Sequence, residues 1–245
     1  MNRFLSLLPP TVNARSDVEM LLLREYGSVF IARGGATPPP KIVFADQAEV
    51  IEFQTIVEIR SAVIGDFELE LQAAAMEGLL AAKEEAEIHK LTISPRGEDS
   101  ARRDYDATVA LWASRVEPAL DHWVTEGRIE LSLADEIRSM TPFRQVPEVL
   151  RLEAEGVWFA KDLSKSIIYS VAPPGTSQHL AMLAFDVKEF ADPNVREILS
   201  RHGWFQTVVS DLPHFTYLGV EESELDGLGL KKVRSGDQVF WVPDI

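Results

Sequence analysis

Apolar positions recur along this chain with two different periods, and the change from one to the other lays out its organisation. In residues 67–89, Leu69, Ala73, Met76, Leu80 and Ile88 fall near helical spacing in a run rich in Ala, Glu and Leu, which predicts one helix. A second long helix is predicted over 99–125, with Leu111, Trp112, Val116, Leu120 and Trp123 as its apolar stripe. Residues 18–26 read as a short helix capped by Ser16 or Asp17, and 193–202 as another that ends on Gly203. Residues 133–140 and the stretch around Pro147 add short helical pieces.

The period-two segments are shorter. Residues 47–64 are ambiguous between helix and strand, 56–63 alternating well enough for a strand, and further strands are predicted at 28–32, 41–45, 156–160, 166–171, 183–187, 204–209 and 215–218. Residues 90–97 read as a short strand ending in a tight turn that displays Arg96. Residues 230–234 and 238–242 flank Ser235-Gly236-Asp237, a hairpin signal. Helices come first and mostly adjacent strands follow, which predicts an α+β fold with helices packed on a central, mostly antiparallel sheet. The expected organisation is one domain. Residues 1–65 wrap around a core of 66–220, and 221–245 form a C-terminal hairpin.

Composition narrows the function classes. The 245 residues are 46% hydrophobic, enough for a full core. Lys and Arg number 24 against 39 Asp and Glu, a formal charge of -15. That field repels phosphate backbones, so nucleic acid is not an expected partner, and it disfavours an anionic membrane surface. No apolar run approaches the ~20 residues of a transmembrane helix. The apolar stretch Phe4 to Leu8 is shorter than the ~7–15 residues of a secretory h-region. An extracytoplasmic location would need an export signal outside this sequence; otherwise the expectation is cytoplasmic. The chain has no cysteine, so any zinc must be held by His, Asp or Glu.

Candidate chemistry concentrates in one stretch, Pro173-Pro174-Gly175-Thr176-Ser177-Gln178-His179-Leu180-Ala181-Met182-Leu183-Ala184-Phe185-Asp186-Val187, and in Asp211-Leu212-Pro213-His214-Phe215-Thr216-Tyr217-Leu218-Gly219 downstream. His179 and Asp186 are seven residues apart, and in one uninterrupted strand they would point to opposite faces. They can share a ligand only if the chain turns or bulges between them. Asp186 lies among Ala184, Phe185 and Val187, and a carboxylate in so apolar a strand needs a partner or a metal. His214 opens the next strand. Three N/O ligands with an open fourth position is the composition of a catalytic zinc site, and Asp211 is placed to act as general base beside it. A surface histidine and a turn-capping aspartate are the alternatives.

The run Pro-Gly-Thr-Ser-Gln-His-x6-Asp resembles the Ser-x-His-x6-Asp motif of the zinc D-alanyl-D-alanine carboxypeptidase and dipeptidase family. Asp211-Leu-Pro-His214-Phe-x-Tyr-x-Gly is similar to that family's Glu-x-Trp-His-Phe-x-x-x-Gly motif. Ser94-Pro-Arg96-Gly lies where the family carries a Ser-x-x-Arg segment. The resemblance runs from about residue 66 to about 220 and implies the following. His179, Asp186 and His214 bind Zn2+, which lowers the pKa of a bound water. Asp211 is base and then acid. Arg96 stabilises the oxyanion or orients the substrate, and Ser177 holds the substrate by hydrogen bonding. The substrates implied are peptidoglycan-derived peptides, cleaved next to a D-amino acid. Asp211 is one methylene shorter than the family's Glu, Met182 stands where the family has a small Gly, and Pro213 replaces a Trp. These departures keep a second reading open, a zinc-containing module that binds cell-wall peptides with little or no turnover. A structural or interaction protein without metal is the third.

Overall fold

The computed structural model describes residues 2–245. The fold is α+β, but the helices do not gather on one central sheet. Three small antiparallel sheets replace it, with strand orders β1-β2, β3-β5-β4 and β6-β7. The chain, which reads as one domain in sequence, divides into two compact units. The first comprises Met1–Ile42, Ala48–Arg103 and Gln178–Ile245, and the second comprises Val43–Gln47 and Asp104–Ser177.

The first unit begins with α1 (Arg3–Leu7) and α2 (Asp17–Tyr26). Ser16 caps α2, its hydroxyl accepting from the backbone N–H of Glu19, as the sequence predicts. The expected strand at 28–32 is instead a 3₁₀ turn, Gly27–Ile31, whose five residues are all buried. Burial on every side leaves no polar alternation, so its apolar run was open to either reading. Residues 41–45 form no strand. Helix α3 (Gln47–Ile56) takes the first half of the ambiguous segment and β1 (Ile59–Ile64) the second.

The helix predicted over 67–89 is two elements. β2 (Phe67–Gln72) pairs with β1 from Ile64↔Phe67 to Ile59↔Gln72. Gly65, at φ 63, supplies the left-handed residue that the tight turn requires. Phe67-Glu68-Leu69-Glu70-Leu71-Gln72 alternates; Leu69 and Leu71 are buried, and Gln72 is buried where the strand ends. The Ala-rich remainder is α4 (Ala73–Ile88). It packs against α8 (Pro193–Arg201), which in turn packs on β4 (Trp204–Gln206). Asp192 caps α8, Pro193 occupies its first turn and Gly203 follows it at φ 78. β3 (Ala184–Asp186) and β5 (His214–Tyr217) complete the central three-stranded sheet. The predicted hairpin is present as β6 (Leu230–Ser235) and β7 (Gln238–Pro243). Phe4, Ile31, Phe205, Leu218, Leu225, Leu230 and Trp241 bury one another and tie it to α1 and the sheet.

The second unit carries α5 (Tyr105–Thr125), α6 (Leu131–Ser139) and α7 (Gln145–Ala154). Helix α5 starts at Tyr105 rather than near residue 99 because Asp104 caps it, accepting from the Ala107 N–H. The strands expected at 156–160 and 166–171 do not form. A buried carboxylate takes the backbone donors there. Glu153 Oε1 accepts from the N–H groups of Phe159 (3.1 Å) and Ile167 (2.7 Å), and Oε2 accepts from the Ser166 hydroxyl. Burial pushes the Glu153 carboxyl above its ordinary value, against the opposing hydrogen bonds from Ser166, Ile167 and Phe159.

A carboxyl with a raised folded-state pKa binds its proton more tightly in the folded chain than in the unfolded one. Its stabilisation is therefore full below the unfolded value of about 4.3 and is lost as pH rises through the folded value. The wild type is expected to lose stability across that window relative to Glu153→Gln, read from urea midpoints of both proteins between pH 4 and 8. Parallel midpoint curves would place the titrating group elsewhere. Among the described residues, no helix is long and apolar enough to cross a membrane.

Candidate metal centre

The three residues singled out in sequence meet in the first unit. Antiparallel pairing of β3 with β5 sets Asp186 directly opposite His214, so both side chains leave the sheet on one face. His179 comes from a 3₁₀ turn, Gln178–Ala181, just before β3. Met182 then adopts φ 54, and this left-handed residue reverses the chain into the strand. The required turn between His179 and Asp186 is therefore present. A residue without a Cβ would adopt that conformation more easily, and here a fully buried Met182 holds it. His179, His214 and Asp186 are 2%, 5% and 8% exposed.

Hydrogen bonds on the far side of each ring select its tautomer. His179 Nδ1 lies 2.7 Å from the Ala101 carbonyl oxygen. A carbonyl only accepts, so Nδ1 carries the proton and Nε2 is a bare lone pair. His214 Nε2 lies 2.9 Å from Gln178 Oε1, also an acceptor, so Nε2 carries a proton. The other two ring nitrogens face one oxygen, Asp186 Oδ1, at 3.3 Å from His179 Nε2 and 3.2 Å from His214 Nδ1. The two rings meet edge to face with centroids 5.0 Å apart. Burial holds the His179 imidazole below its ordinary pKa and therefore neutral. Burial alone would raise the Asp186 carboxyl, but interactions with His179 and His214 outweigh it and hold the group ionised.

Asp186 Oδ1 needs a ring proton or a cation between it and the histidines, and one metal ion can take that place for both rings. The donor atoms of the three residues lie within 4.8 Å of one another, an arrangement that can hold a metal ion. Bonds of about 2.0–2.1 Å in a tetrahedral shell separate adjacent ligand atoms by about 3.3–3.4 Å. The two nitrogen-to-oxygen separations, 3.3 and 3.2 Å, are close to that spacing and long for hydrogen bonds. The residues present fit the group.

Arg103 occupies the other carboxylate oxygen, its Nη2 2.7 Å from Asp186 Oδ2. Nε of the same guanidinium donates to the Asp99 carbonyl at 2.9 Å, which holds the fork in place. Asp186 is thus left to present Oδ1 alone, the kind of outer contact that orients a metal ligand. The segment that carries Arg103 runs beside β3. Lys188 N–H donates to the Ser94 carbonyl, Arg96 N–H to the Asp186 carbonyl, and Asp186 N–H to the Ser100 carbonyl. Arg96 therefore touches the site's strand through its backbone, while its residue is exposed.

Arg103 was not among the residues singled out in sequence; it lies in Ser100-Ala101-Arg102-Arg103, and only its contact with Asp186, 83 residues away, marks it. Gln178 was also passed over, because its value lies in contacts with residues far along the chain. Ser177 is the last residue of the second unit and is buried. Asp211 is exposed, and its carbonyl accepts the His214 N–H at 3.1 Å. That bond closes a turn which brings the two Cα atoms within about 7 Å.

No protein-family model, no curated protein and no solved structure matches this chain.

Proposed function

We propose that this chain binds one zinc ion through His179 Nε2, Asp186 Oδ1 and His214 Nδ1, and hydrolyses D-Ala-D-Ala-type bonds of peptidoglycan-derived peptides. The observation that carries the metal assignment is the convergence of two imidazole nitrogens on one carboxylate oxygen at 3.2 and 3.3 Å. Three buried N/O ligands in a chain without cysteine suit zinc with a fourth position left for water or substrate. The hydrolytic part rests on the spacing of Ser177, His179, Asp186, Asp211 and His214.

When bound, zinc supplies Lewis acidity toward water and a carbonyl oxygen. The chain supplies the rest. Asp211 takes a proton from the attacking water and returns it to the leaving amine. Arg103 keeps Asp186 to one ligating oxygen, and its remaining N–H groups stabilise charge that develops on the scissile carbonyl. Ser177 and Arg96 hold the peptide.

Addition of Zn2+ to metal-stripped protein is expected to start release of D-alanine from a peptide ending in D-Ala-D-Ala, and a chelator to stop it. A second reading has its own support in the burial of all three ligands and in the short, exposed Asp211. On that reading the protein binds such peptides without turnover, and the outcome is stoichiometric zinc with no D-alanine released.

The two arginines are separable. Arg103→Ala is expected to lower kcat by roughly 100-fold and to weaken zinc by roughly 10-fold through loss of the Asp186 contact. Arg103→Lys should rescue poorly, because a point charge does not copy the fork. If Arg96→Ala gives the large kcat loss and Arg103→Ala leaves kcat unchanged, the oxyanion role belongs to Arg96.

A further inference from the structure

We infer that Gln178 is a positioning residue that sets the tautomer of His214, presenting Nδ1 rather than Nε2 as the free nitrogen, and that the hydroxyls of Thr207 and Thr216 lock Gln178 in the required orientation. The consequence for metal binding rests on the zinc reading above; the tautomer itself does not.

Four buried polar side chains form the device: Gln178, Thr207, Thr216 and His214. Gln178 Nε2 donates to the Tyr26 carbonyl at 2.8 Å, and a carbonyl cannot donate back. The amide is thereby oriented, with Oε1 turned toward His214 Nε2 at 2.9 Å. Thr216 Oγ1 also donates to that oxygen. Having given its proton to Gln178, Thr216 must accept from Thr207, whose Oγ1 lies 2.6 Å away. Thr207 Oγ1 is in turn 3.5 Å from Gln178 Nε2. This arrangement of protons satisfies every member, and in it His214 Nε2 faces an acceptor. Strand geometry makes the device possible: His214 and Thr216 are two apart on β5 and share a face.

Reversing the amide shows what is at stake. With NH2 toward His214, Nε2 would accept and Nδ1 would carry the proton. Nδ1–H would then donate to Asp186 Oδ1, and the cluster would be closed by a hydrogen bond where the ion belongs. An outer residue of this kind typically changes metal affinity by 10–100-fold.

The test uses the full chain and two substitutions. Gln178→Leu removes the acceptor. Gln178→Glu keeps an acceptor for both His214 and Thr216 but buries a charge and loses the bond to Tyr26. A residue that merely fills space would make Glu the worse variant. A tautomer-setting residue makes Leu the worse one for zinc: about 10–100-fold weaker in a Zn2+ titration, with Glu within about threefold of wild type. The second readout is the 15N pattern of the His214 ring in zinc-free protein, expected to show Nε2–H in wild type and Gln178→Glu and to change in Gln178→Leu. Nδ1–H on His214 in zinc-free wild type would overturn the inference, as would wild-type zinc affinity in folded Gln178→Leu. A wild type that shows Nε2–H but binds no Zn2+ upholds the tautomer assignment and removes the metal reading instead.

Discussion

Replacing His214 with alanine is expected to take the protein from about one zinc per chain to none retained at micromolar concentration. Zinc held by protein ligands is worth about 10–16 kcal/mol, so one ligand of three carries roughly 3–5 kcal/mol, a loss of about 10²–10⁴ in affinity. His179→Ala should behave alike, since its Nε2 makes the matching approach to Asp186 Oδ1. The effect goes beyond one lost bond. Asp186 faces both rings and Arg103, and removing either ring leaves a buried carboxylate oxygen with one fewer neighbour. The measurement is metal content after dialysis, with thermal unfolding of each variant to show that the chain still folds. Stoichiometric zinc retained by the His179→Ala, His214→Ala double variant would sink the site.

The second large effect is expected at Asp211. Asp211→Asn should keep zinc and fold while lowering hydrolysis of a D-Ala-D-Ala peptide by roughly 10²–10⁴-fold, the share that general acid–base catalysis usually supplies. The fold sets Asp211 apart from the candidate ligands. Asp211 is exposed at the turn that leads into β5, and its side chain is outside the buried cluster, so the change from Asp to Asn leaves the ligands untouched. Pro213 limits how that turn can bend, which holds Asp211 near His214. Asp211→Glu should retain part of the activity because it keeps a carboxylate at the same turn, one methylene further out. The next acidic residues along the chain are already engaged. Glu221 closes a reciprocal cap with Glu224, while Glu222 accepts from Trp241 Nε1 and pairs with Lys232. Hydrolysis at the wild-type rate in Asp211→Asn would therefore remove Asp211 from the base role without an obvious replacement in that segment.

Several elements were legible because their signals are local. Ser16 before α2, Asp192-Pro193 before α8, Gly203 after it and Gly236 in the β6–β7 turn each act through the backbone within a few residues. The clearest misreading shows the limit of periodicity. Phe67 to Gln72 alternates with period two, but the Ala-rich α4 follows at once, and a window spanning both reports a helix. Residues 156–160 and 166–171 look extended because their apolar content suits a sheet. Glu153, whose burial the local pattern does not announce, takes the Phe159 and Ile167 N–H groups that a ladder would have used.

By itself, the sequence determined which side chains could chelate. With no cysteine, His179, Asp186 and His214 stood out by residue type, by their apolar surroundings and by the turn formers beside them. It also determined that the chain had to bend between His179 and Asp186, since strand alternation would otherwise have parted them. Only the tertiary structure decided that Asp186 faces His214 across β3 and β5, that Arg103 rather than Arg96 holds Asp186 Oδ2, and that Gln178 reaches His214. Those partners lie 28, 83 and 36 residues apart in sequence. Hydrogen bonds and ion pairs act over about 3 Å, and a one-dimensional pattern cannot state which distant residues the packing of a core will bring that close.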